Sequence, residues 1–429
     1  MKKQKKSSFS IKPIICLALL ALCIIITSAV KGHAAGKKTV RVTTQDELVE
    51  AINNANVGTI ILRSETRDAI TIASNENAKG KKIVIDVPYA TVTNKAKFKY
   101  ITVSGASMYK EAVSGNTIEI PTYYLANLEL AKKKSIKKFV LTGYTGFEEI
   151  DMYSIVRKGA KIKNIVFKNY AGTTAMDKST RTLTFEEEAF EWCEPTVVTI
   201  KFDKSGRMIF RSEDYESEYE NDTEYTYTYD KNGNLVEAIG YVYYDEDKTD
   251  VESRNNTYDK KNRVKTSINR GRYSALVYST FYEYDSKGRV LRSVTECSTI
   301  DGDKGDGTYD NKSEYTYDKK NRVTKMVYEY TDSNSYDDNV KIVTTTEYEY
   351  NDKGFLTTEK STDSSKPGQY SLNSYSYDKY GNNTKDVFRN YDGEISTNES
   401  SYNELGEWES SVWTYPNGEQ YIYTPETAG

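Results

Sequence analysis

A short motif recurs eight times in the second half of the chain, and this repeat is the feature that most constrains the fold. Each copy begins with an aromatic residue, has Asp or Asn at its second position and Gly or Asn at its fifth, and in seven copies returns to an apolar residue at its seventh. The copies begin at Phe202, Tyr229, Tyr258, Tyr284, Tyr317, Tyr350, Tyr377 and Tyr402, at spacings of 25 to 33 residues. A constant core with spacers of variable length indicates one structural unit joined by different loops.

The second and fifth positions of the motif have the chemistry of a tight turn. A short Asp or Asn side chain can accept hydrogen bonds from backbone amides two residues further on. Gly and Asn are the residues that adopt positive φ most readily, as a hairpin loop requires. Each repeat is therefore predicted to be a β-hairpin. The predicted turn residues are Asp203, Gly206, Asp230, Gly233, Asp259, Asn262, Asp285, Gly288, Asp318, Asn321, Gly354, Asp378, Gly381 and Gly406.

The region from Lys37 to about residue 172 has a different pattern. Short β-branched apolar runs, such as 60–62, 70–72, 83–85, 101–103 and 165–167, alternate with Asn, Gly, Ser and Lys, which is typical of short strands. Several runs lie about ten residues apart, which favours the turns of a coil wound from parallel strands. Before them, Thr44 and Glu47 form a capping box, so a short amphipathic helix is predicted to cover the open end of the coil. A small β-sandwich is the competing fold.

Both regions resemble known families. The "YxYDxxGR" core of the repeats, as in Tyr315-Thr316-Tyr317-Asp318, resembles the YD repeat of Rhs-type bacterial surface proteins and teneurin-like proteins, over roughly residues 197 to 423. That resemblance implies a long spiralling sheet of hairpins, which in some members encloses a C-terminal toxin. Toxin delivery is not expected here, because eight copies are few for a closed shell and no toxin segment follows the last copy. The N-terminal pattern resembles pectate-lyase-like parallel β-helix domains, and no catalytic set of that family matches a position here.

The predicted fold is therefore mainly β. It consists of a parallel β-helix-like coil with a short capping helix, followed by an elongated antiparallel sheet of about eight YD-type hairpins. The predicted boundaries are 1–35 for a signal peptide, 36–172 for the coil, 173–196 for a transition, 197–423 for the repeats and 424–429 for a tail.

The N-terminus predicts export. Four lysines within the first six residues precede an uncharged apolar run from 14 to 30, as in a secretory signal, which implies a secreted or cell-surface protein. Retention of the run as a membrane anchor is the alternative, because its length is just below that of a spanning helix. In the predicted mature chain Cys193 and Cys297 could pair, although two free, buried thiols are expected because distant repeats of a linear array do not touch.

Charge and histidine content restrict the chemistry. The predicted mature chain loses six lysines and no acid, so its net charge falls from −4 to −10, and neither nucleic acid nor an anionic membrane is expected as a partner. The only histidine, His33, lies in the segment predicted to be removed, which excludes histidine-dependent triads and zinc sites. No catalytic residue, metal site or cofactor is predicted, and the chain is not expected to be an enzyme. Calcium at the acidic loops 301–306 and 332–337 is the alternative to solvated loop tips.

The 38 tyrosines are the residues that remain to be explained. Cross-strand aromatic pairs could stabilise a thin sheet, and exposed rings could instead stack on sugars while neighbouring Asp and Asn accept hydrogen bonds. The candidate binding residues are Tyr229, Tyr258, Tyr284, Tyr317, Tyr350 and Tyr377. The predicted function is binding or adhesion to a glycan or a surface protein. A polysaccharide lyase or hydrolase acting from the coil, and a passive spacer, are the alternatives.

Overall fold

The computed structural model describes residues 37–121, 128–142, 155–168, 173–178, 181–186, 197–215, 222–244, 247–271, 276–299, 310–332 and 340–425. Within these residues the protein is mainly β, with a parallel N-terminal sheet, one α-helix and a 19-stranded antiparallel sheet. The predicted signal or anchor, His33 and Cys193 lie outside the described residues.

Residues 37–168 form a coil of parallel strands, called the coil below. Its elements are β1 (Lys38–Val42), α1 (Gln45–Asn53), β2 (Val57–Arg63), β3 (Ile70–Ile72), a 3-10 turn (Glu76–Ala78), β4 (Lys82–Asn94), β5 (Tyr100–Glu111), β6 (Thr117–Pro121), β7 (Leu128–Leu130), β8 (Ser135–Ile136), β9 (Lys138–Thr142), β10 (Ile155–Val156), β11 (Lys161–Ile162) and β12 (Ile165–Lys168). One face has the strand order β1-β2-β4-β5-β6-β9-β12; a second joins β3, β4, β5, β7 and β10; a third pairs β8 with β11. All these pairings are parallel, which confirms the predicted coil and excludes the β-sandwich.

Aliphatic side chains from successive turns fill the coil. Register places Ile60, Ile83, Ile101, Ile118 and Phe139 in one inward ladder, each at most 2% exposed. Burying one such side chain stabilises the fold by about 1.5–3 kcal/mol. The β-branched runs are thus the core of the coil.

Helix α1 covers the first turn of the coil, as predicted. The Thr44 hydroxyl accepts a hydrogen bond from the Glu47 amide at 3.3 Å. The Glu47 carboxylate reaches back to the amide of Thr43 at 2.7 Å. Leu48 and Ile52 are buried against β1, β2 and β3.

The second region is one antiparallel sheet, called the long sheet, in which every strand pairs with its neighbours in sequence. Its strands are β13 (Thr173–Asp177), β14 (Thr182–Glu186), β15 (Val197–Phe202), β16 (Met208–Asp214), β17 (Thr223–Tyr229), β18 (Leu235–Tyr244), β19 (Asp247–Tyr258), β20 (Val264–Arg270), β21 (Leu276–Tyr284), β22 (Val290–Thr299), β23 (Asp310–Tyr317), β24 (Val323–Asp332), β25 (Val340–Tyr350), β26 (Leu356–Asp363), β27 (Ser371–Tyr377), β28 (Asn383–Arg389), β29 (Ile395–Tyr402), β30 (Trp408–Thr414) and β31 (Gln420–Tyr423). The segment predicted as a transition contributes β13 and β14. Because each repeat turn joins an odd-numbered strand to the next even-numbered one, all eight turns lie in a row along one edge, called the turn row.

Candidate functional site

Each repeat turn is a closed hydrogen-bonded unit, which the fifth repeat illustrates. The Asp318 amide donates to the Arg322 carbonyl at 2.9 Å, and the Asn321 amide donates to the Asp318 carbonyl at 3.2 Å. The Asp318 carboxylate accepts from the Arg322 amide at 2.9 Å and from the Arg322 Nε at 2.7 Å. The fifth residue of every motif has positive φ, between 61° and 89°, in all eight turns: Gly206, Gly233, Asn262, Gly288, Asn321, Gly354, Gly381 and Gly406.

The aromatic residue of the next repeat completes this unit. Tyr350 donates its hydroxyl hydrogen bond to the Val323 carbonyl at 2.6 Å, and its ring lies beneath the Arg322 guanidinium at 4.6 Å. The same hydroxyl-to-carbonyl bond, at 2.6–2.8 Å, is made by Tyr229, Tyr258, Tyr284, Tyr317 and Tyr377. All six candidate binding tyrosines therefore have their hydroxyls engaged by backbone, and all six rings are half-buried. Burial raises the pKa of the phenol of Tyr350, of Tyr284 and of Tyr317.

The turn row also contacts the coil at the coil's C-terminal end. The Ile162 amide donates to the Ser205 carbonyl at 2.9 Å, and the Lys158 amide donates to the Asn232 carbonyl at 3.0 Å. At Gly233 a Cβ atom would lie 2.0 Å from the Val156 carbonyl oxygen, so only glycine allows this approach. The first two repeats thus take over backbone donors that a further turn of coil would otherwise satisfy.

Later repeats contact the other end of the coil. The Arg67 amide donates to the Gly354 carbonyl at 3.0 Å, and the Asp68 carboxylate lies 3.0 Å from the Lys320 ammonium. Arg41 on β1 donates to the Asn382 amide oxygen at 2.7 Å, and Arg63 donates to the Leu405 carbonyl at 3.2 Å.

In the part of the chain that the structure describes, the turns of the third and fourth repeats bond to neighbouring turns instead. Asn262 accepts from Asn234 at 3.2 Å, and Arg289 donates to Asn321 at 3.1 Å. The turn row therefore spans the coil from end to end. Treating the two regions as independent missed this contact, because the residues that meet are up to about 340 positions apart in sequence.

Charged side chains converge where the later repeats meet the coil. Burial, followed by the nearby Asp86 carboxylate, raises the pKa of Glu65 to about 7. The Arg67 guanidinium lies 4.4 Å from the centre of the Tyr89 ring. This junction can take up a proton near neutral pH, and it lacks a nucleophile paired with a general base among the described contacts.

The face of the sheet that carries the repeat tyrosines becomes exposed beyond the coil. Phe388, Trp413, Tyr421 and Tyr423, which we call the terminal aromatic patch, are 42%, 38%, 51% and 39% exposed. Register places Trp413 directly opposite both Asn398 and Tyr421, with Tyr423 two residues further along β31. The same alternation places Phe388 on this face, because Asp386, two residues before it, lies opposite Tyr375. The sequence marked none of these residues, since they fall outside the repeated positions.

Metal, thiol and membrane features are limited in the described residues. Within them, no group of three or more His, Cys, Asp or Glu side chains could hold a metal ion, and the acidic loop 301–306 lies outside them. Cys297 is a free thiol with no exposed surface. None of the helices in the described ranges is long and apolar enough to span a membrane.

Comparison with known proteins yields likeness to solved structures only. No family model matches the chain, and no curated protein matches it closely enough to count as a relative. A crystal structure of TcdB2-TccC3 without its hypervariable C-terminal region is 13% identical over 60% of this chain, with a TM-score of 0.30. A crystal structure of TcdB2-TccC3-TEV is 10% identical over 59% of this chain, with a TM-score of 0.26. This chain covers 16% of the length of each. A porin-like protein from Bacteroides uniformis is 9% identical over 58% of this chain and 90% of its own, with a TM-score of 0.25. TM-scores of this size do not establish a common overall fold.

Proposed function

We propose that this chain is an exported binding protein that takes a glycan on the terminal aromatic patch. The observation that carries the proposal is the exposure of Phe388, Trp413, Tyr421 and Tyr423 on one face of the last strands. An aromatic ring offers an apolar face to a sugar ring. Directly opposed side chains on paired strands are about 5 Å apart, so Trp413 and Tyr421 offer adjoining surfaces.

The polar groups next to the patch support the same assignment. Asp386 and Asn398 lie opposite each other on β28 and β29, and Asn398 lies opposite Trp413. Carboxylate and amide groups beside aromatic rings can exchange hydrogen bonds with sugar hydroxyls. The repeat tyrosines are less suited to this role, because their hydroxyls already donate to backbone carbonyls.

The test is a glycan-binding measurement on the purified protein and on Trp413→Ala. Titration with a panel of cell-wall and host glycans should give saturable binding, read from tryptophan fluorescence or calorimetry. Truncating a central aromatic side chain in a binding patch typically costs about 2 kcal/mol or more, which is roughly a thirtyfold rise in Kd. Phe281→Ala is the matched control, because Phe281 is 42% exposed, close to the 38% of Trp413, but lies on the opposite face of the sheet. Absence of saturable binding, or equal loss in both variants, would refute the proposal.

Binding of a surface protein is a second candidate, favoured by β31, which among the described residues pairs with β30 on one side only. All four residues of Gln420–Tyr423 are exposed, and the strand contains neither a charged residue nor Pro. Such an edge can pair with a strand of another protein. Replacing Ile422, which is 71% exposed, by Pro should abolish protein capture and leave glycan binding intact.

An enzymatic alternative to these binding functions is a lyase or hydrolase that acts from the coil. Release of reducing or unsaturated sugars by the purified protein would favour it. The likeness of the coil to pectate-lyase-like domains is one of fold pattern. A passive spacer predicts no ligand in either assay.

A further inference from the structure

One edge of the coil carries many lysines and no acid. The segments 79–82, 95–99, 131–138 and 157–164 contain 3, 3, 5 and 4 basic residues, and none contains Asp or Glu. The segment 112–116, which lies between the second and third of these along the chain, is uncharged. We call these five segments together the lysine stripe.

Backbone hydrogen bonds show that the five segments are stacked on one another. The Lys99 amide donates to the Lys81 carbonyl at 2.8 Å, and the Ala112 amide donates to the Asn94 carbonyl at 2.8 Å. Further along the coil, Lys137 donates to Asn116 at 2.9 Å and Lys161 donates to Lys134 at 3.0 Å. Neighbouring turns of a parallel coil are about 4.8 Å apart, so five turns form a stripe about 19 Å long.

Most lysines of the stripe point into solvent, and its apolar residues point inward. Lys81 is the exception: it is buried, and its ammonium donates to the Asn54 and Val57 carbonyls at 2.6 and 2.7 Å. Lys95, Lys97 and Lys99 are exposed, as are Lys132 and Lys137. The intervening Phe98, Ile136 and Ile162 are 6%, 0% and 0% exposed.

Few acids lie near these exposed lysines. Among the described residues, Lys79 is the one exposed lysine of the stripe that forms a salt bridge, and its partner, Glu76, lies outside the stripe. The surface is therefore a row of ammonium groups without exposed apolar or aromatic side chains.

We propose that the lysine stripe binds a linear surface polymer with repeating phosphodiester groups, such as a polyol-phosphate chain of a cell envelope. An ammonium group is a point charge that suits phosphate, whereas planar paired recognition of carboxylates is the property of arginine. The one arginine of the stripe, Arg157, is half-buried and already pairs with Glu129. A narrow stripe fits one polyanionic chain, not the two backbones of a duplex. A membrane partner is disfavoured, because the stripe has no exposed apolar side chain to insert.

This proposal shares with the proposed function only the prediction that the protein is exported. The stripe and the terminal aromatic patch are built from different parts of the chain. Trp413→Ala should leave polyanion binding unchanged, so the two proposals can fail separately.

The experiment measures binding of the purified protein to lipid-free poly(glycerol phosphate), with dextran as the uncharged polymer. Affinity should fall steeply, at least tenfold, between about 0.05 and 0.2 M salt, as expected when several counterions are released. The triple variant Lys95→Gln, Lys97→Gln, Lys99→Gln should weaken binding at least tenfold and reduce the slope of log affinity against log salt by about 2 to 3.

The matched control is the triple variant Lys260→Gln, Lys261→Gln, Lys319→Gln, which removes the same charge from exposed repeat turns. It should bind like the unmodified protein. If the first triple variant fails to fold, Lys132→Gln with Lys133→Gln and Lys137→Gln tests the other half of the stripe. Equal loss of binding in the test and control variants would overturn the proposal. So would binding to dextran as tight as binding to poly(glycerol phosphate), or tighter binding to duplex DNA or to vesicles of anionic lipid at equal phosphate concentration.

Discussion

The coil encloses a carboxylate that should make its stability depend on pH near neutrality. Glu111 has no exposed surface and accepts hydrogen bonds from the Tyr109 hydroxyl at 2.6 Å and from the Asn94 and Asn116 amides at 3.1 Å each. Burial raises its pKa from 4.5 to about 7, although these hydrogen bonds lower it. Asn94, Asn116 and Tyr109 are buried as well, so solvent cannot stabilise the charge of the carboxylate.

The direction of this pKa shift determines whether the stability of the protein rises or falls with pH. Since the folded state holds the proton more tightly than the unfolded state, the contribution to stability is complete below pH 4.5 and is lost as pH rises through 7. A difference between 4.5 and about 7 corresponds to about 3 kcal/mol in total, of which about 2 to 3 kcal/mol falls between pH 5 and 8.

The assay is chemical denaturation of the protein and of Glu111→Gln at several pH values between 5 and 8. The free energy of unfolding of the unmodified protein should fall across this range, and that of Glu111→Gln should fall much less. Glu65→Gln is the comparison variant: because burial also raises the pKa of Glu65 to about 7, this variant should remove a similar part of the slope. Stability that rises from pH 5 to 8, or identical slopes with and without Glu111, would refute the reasoning.

Three further predictions concern the long sheet. Asp318→Ala should destabilise it by about 1–3 kcal/mol in denaturation experiments, because it leaves turn amides unpaired, whereas Asp352→Ala at an exposed neighbouring position should change stability by less than about 0.5 kcal/mol. Gly354→Ala should lower stability more than Gly368→Ala. Both positions have φ near +80°, but only at Gly354 would the new Cβ meet a coil oxygen, at 2.6 Å. Hydrogen exchange of Gly354→Ala should show the sixth repeat opening. Tyr317→Phe should lower stability by about 1 kcal/mol and leave glycan affinity unchanged, since its hydroxyl bonds to backbone; a loss of affinity would return the binding role to the repeat tyrosines.

Local sequence predicted the elements of the fold well, because each depends on neighbouring residues. The Asp and Gly or Asn of one motif meet within a single turn, and the inward aliphatic residues of the coil follow simple alternation. Two further tight turns escaped notice, with Gly393 and Gly418 at positive φ on the opposite edge of the sheet. The first follows the Asn-x-x-Gly spacing without the preceding tyrosine, and the second begins with Tyr415 in place of Asp or Asn.

Contacts between distant segments could not be predicted in this way. Nothing in the sequence near Arg41 indicates that it will donate to Asn382, since this bond requires the turn row to return to the start of the coil. The sequence also did not reveal exposure: Tyr317 and Tyr421 are both sheet tyrosines, yet Tyr317 is half-buried and Tyr421 is 51% exposed. We therefore place the candidate site at side chains that no motif distinguishes, and not at the repeated tyrosines.

The lysine stripe shows that the total charge of the chain does not describe each of its surfaces. A formal charge of −4 averages over a coil edge without acids and a repeat sheet rich in carboxylates, and a polyanion responds to the local surface at distances of about 10 Å or less. The stripe is hard to see in sequence because its period is irregular: the Lys99 amide bonds to a carbonyl 18 residues earlier, at Lys81, and the Lys161 amide to one 27 residues earlier, at Lys134. Strand register converts these unequal spacings into one row. The expectation that nucleic acid and anionic membranes are not partners rests on that average, whereas the proposed polymer would contact this edge alone, and the salt dependence of its binding is the decisive measurement.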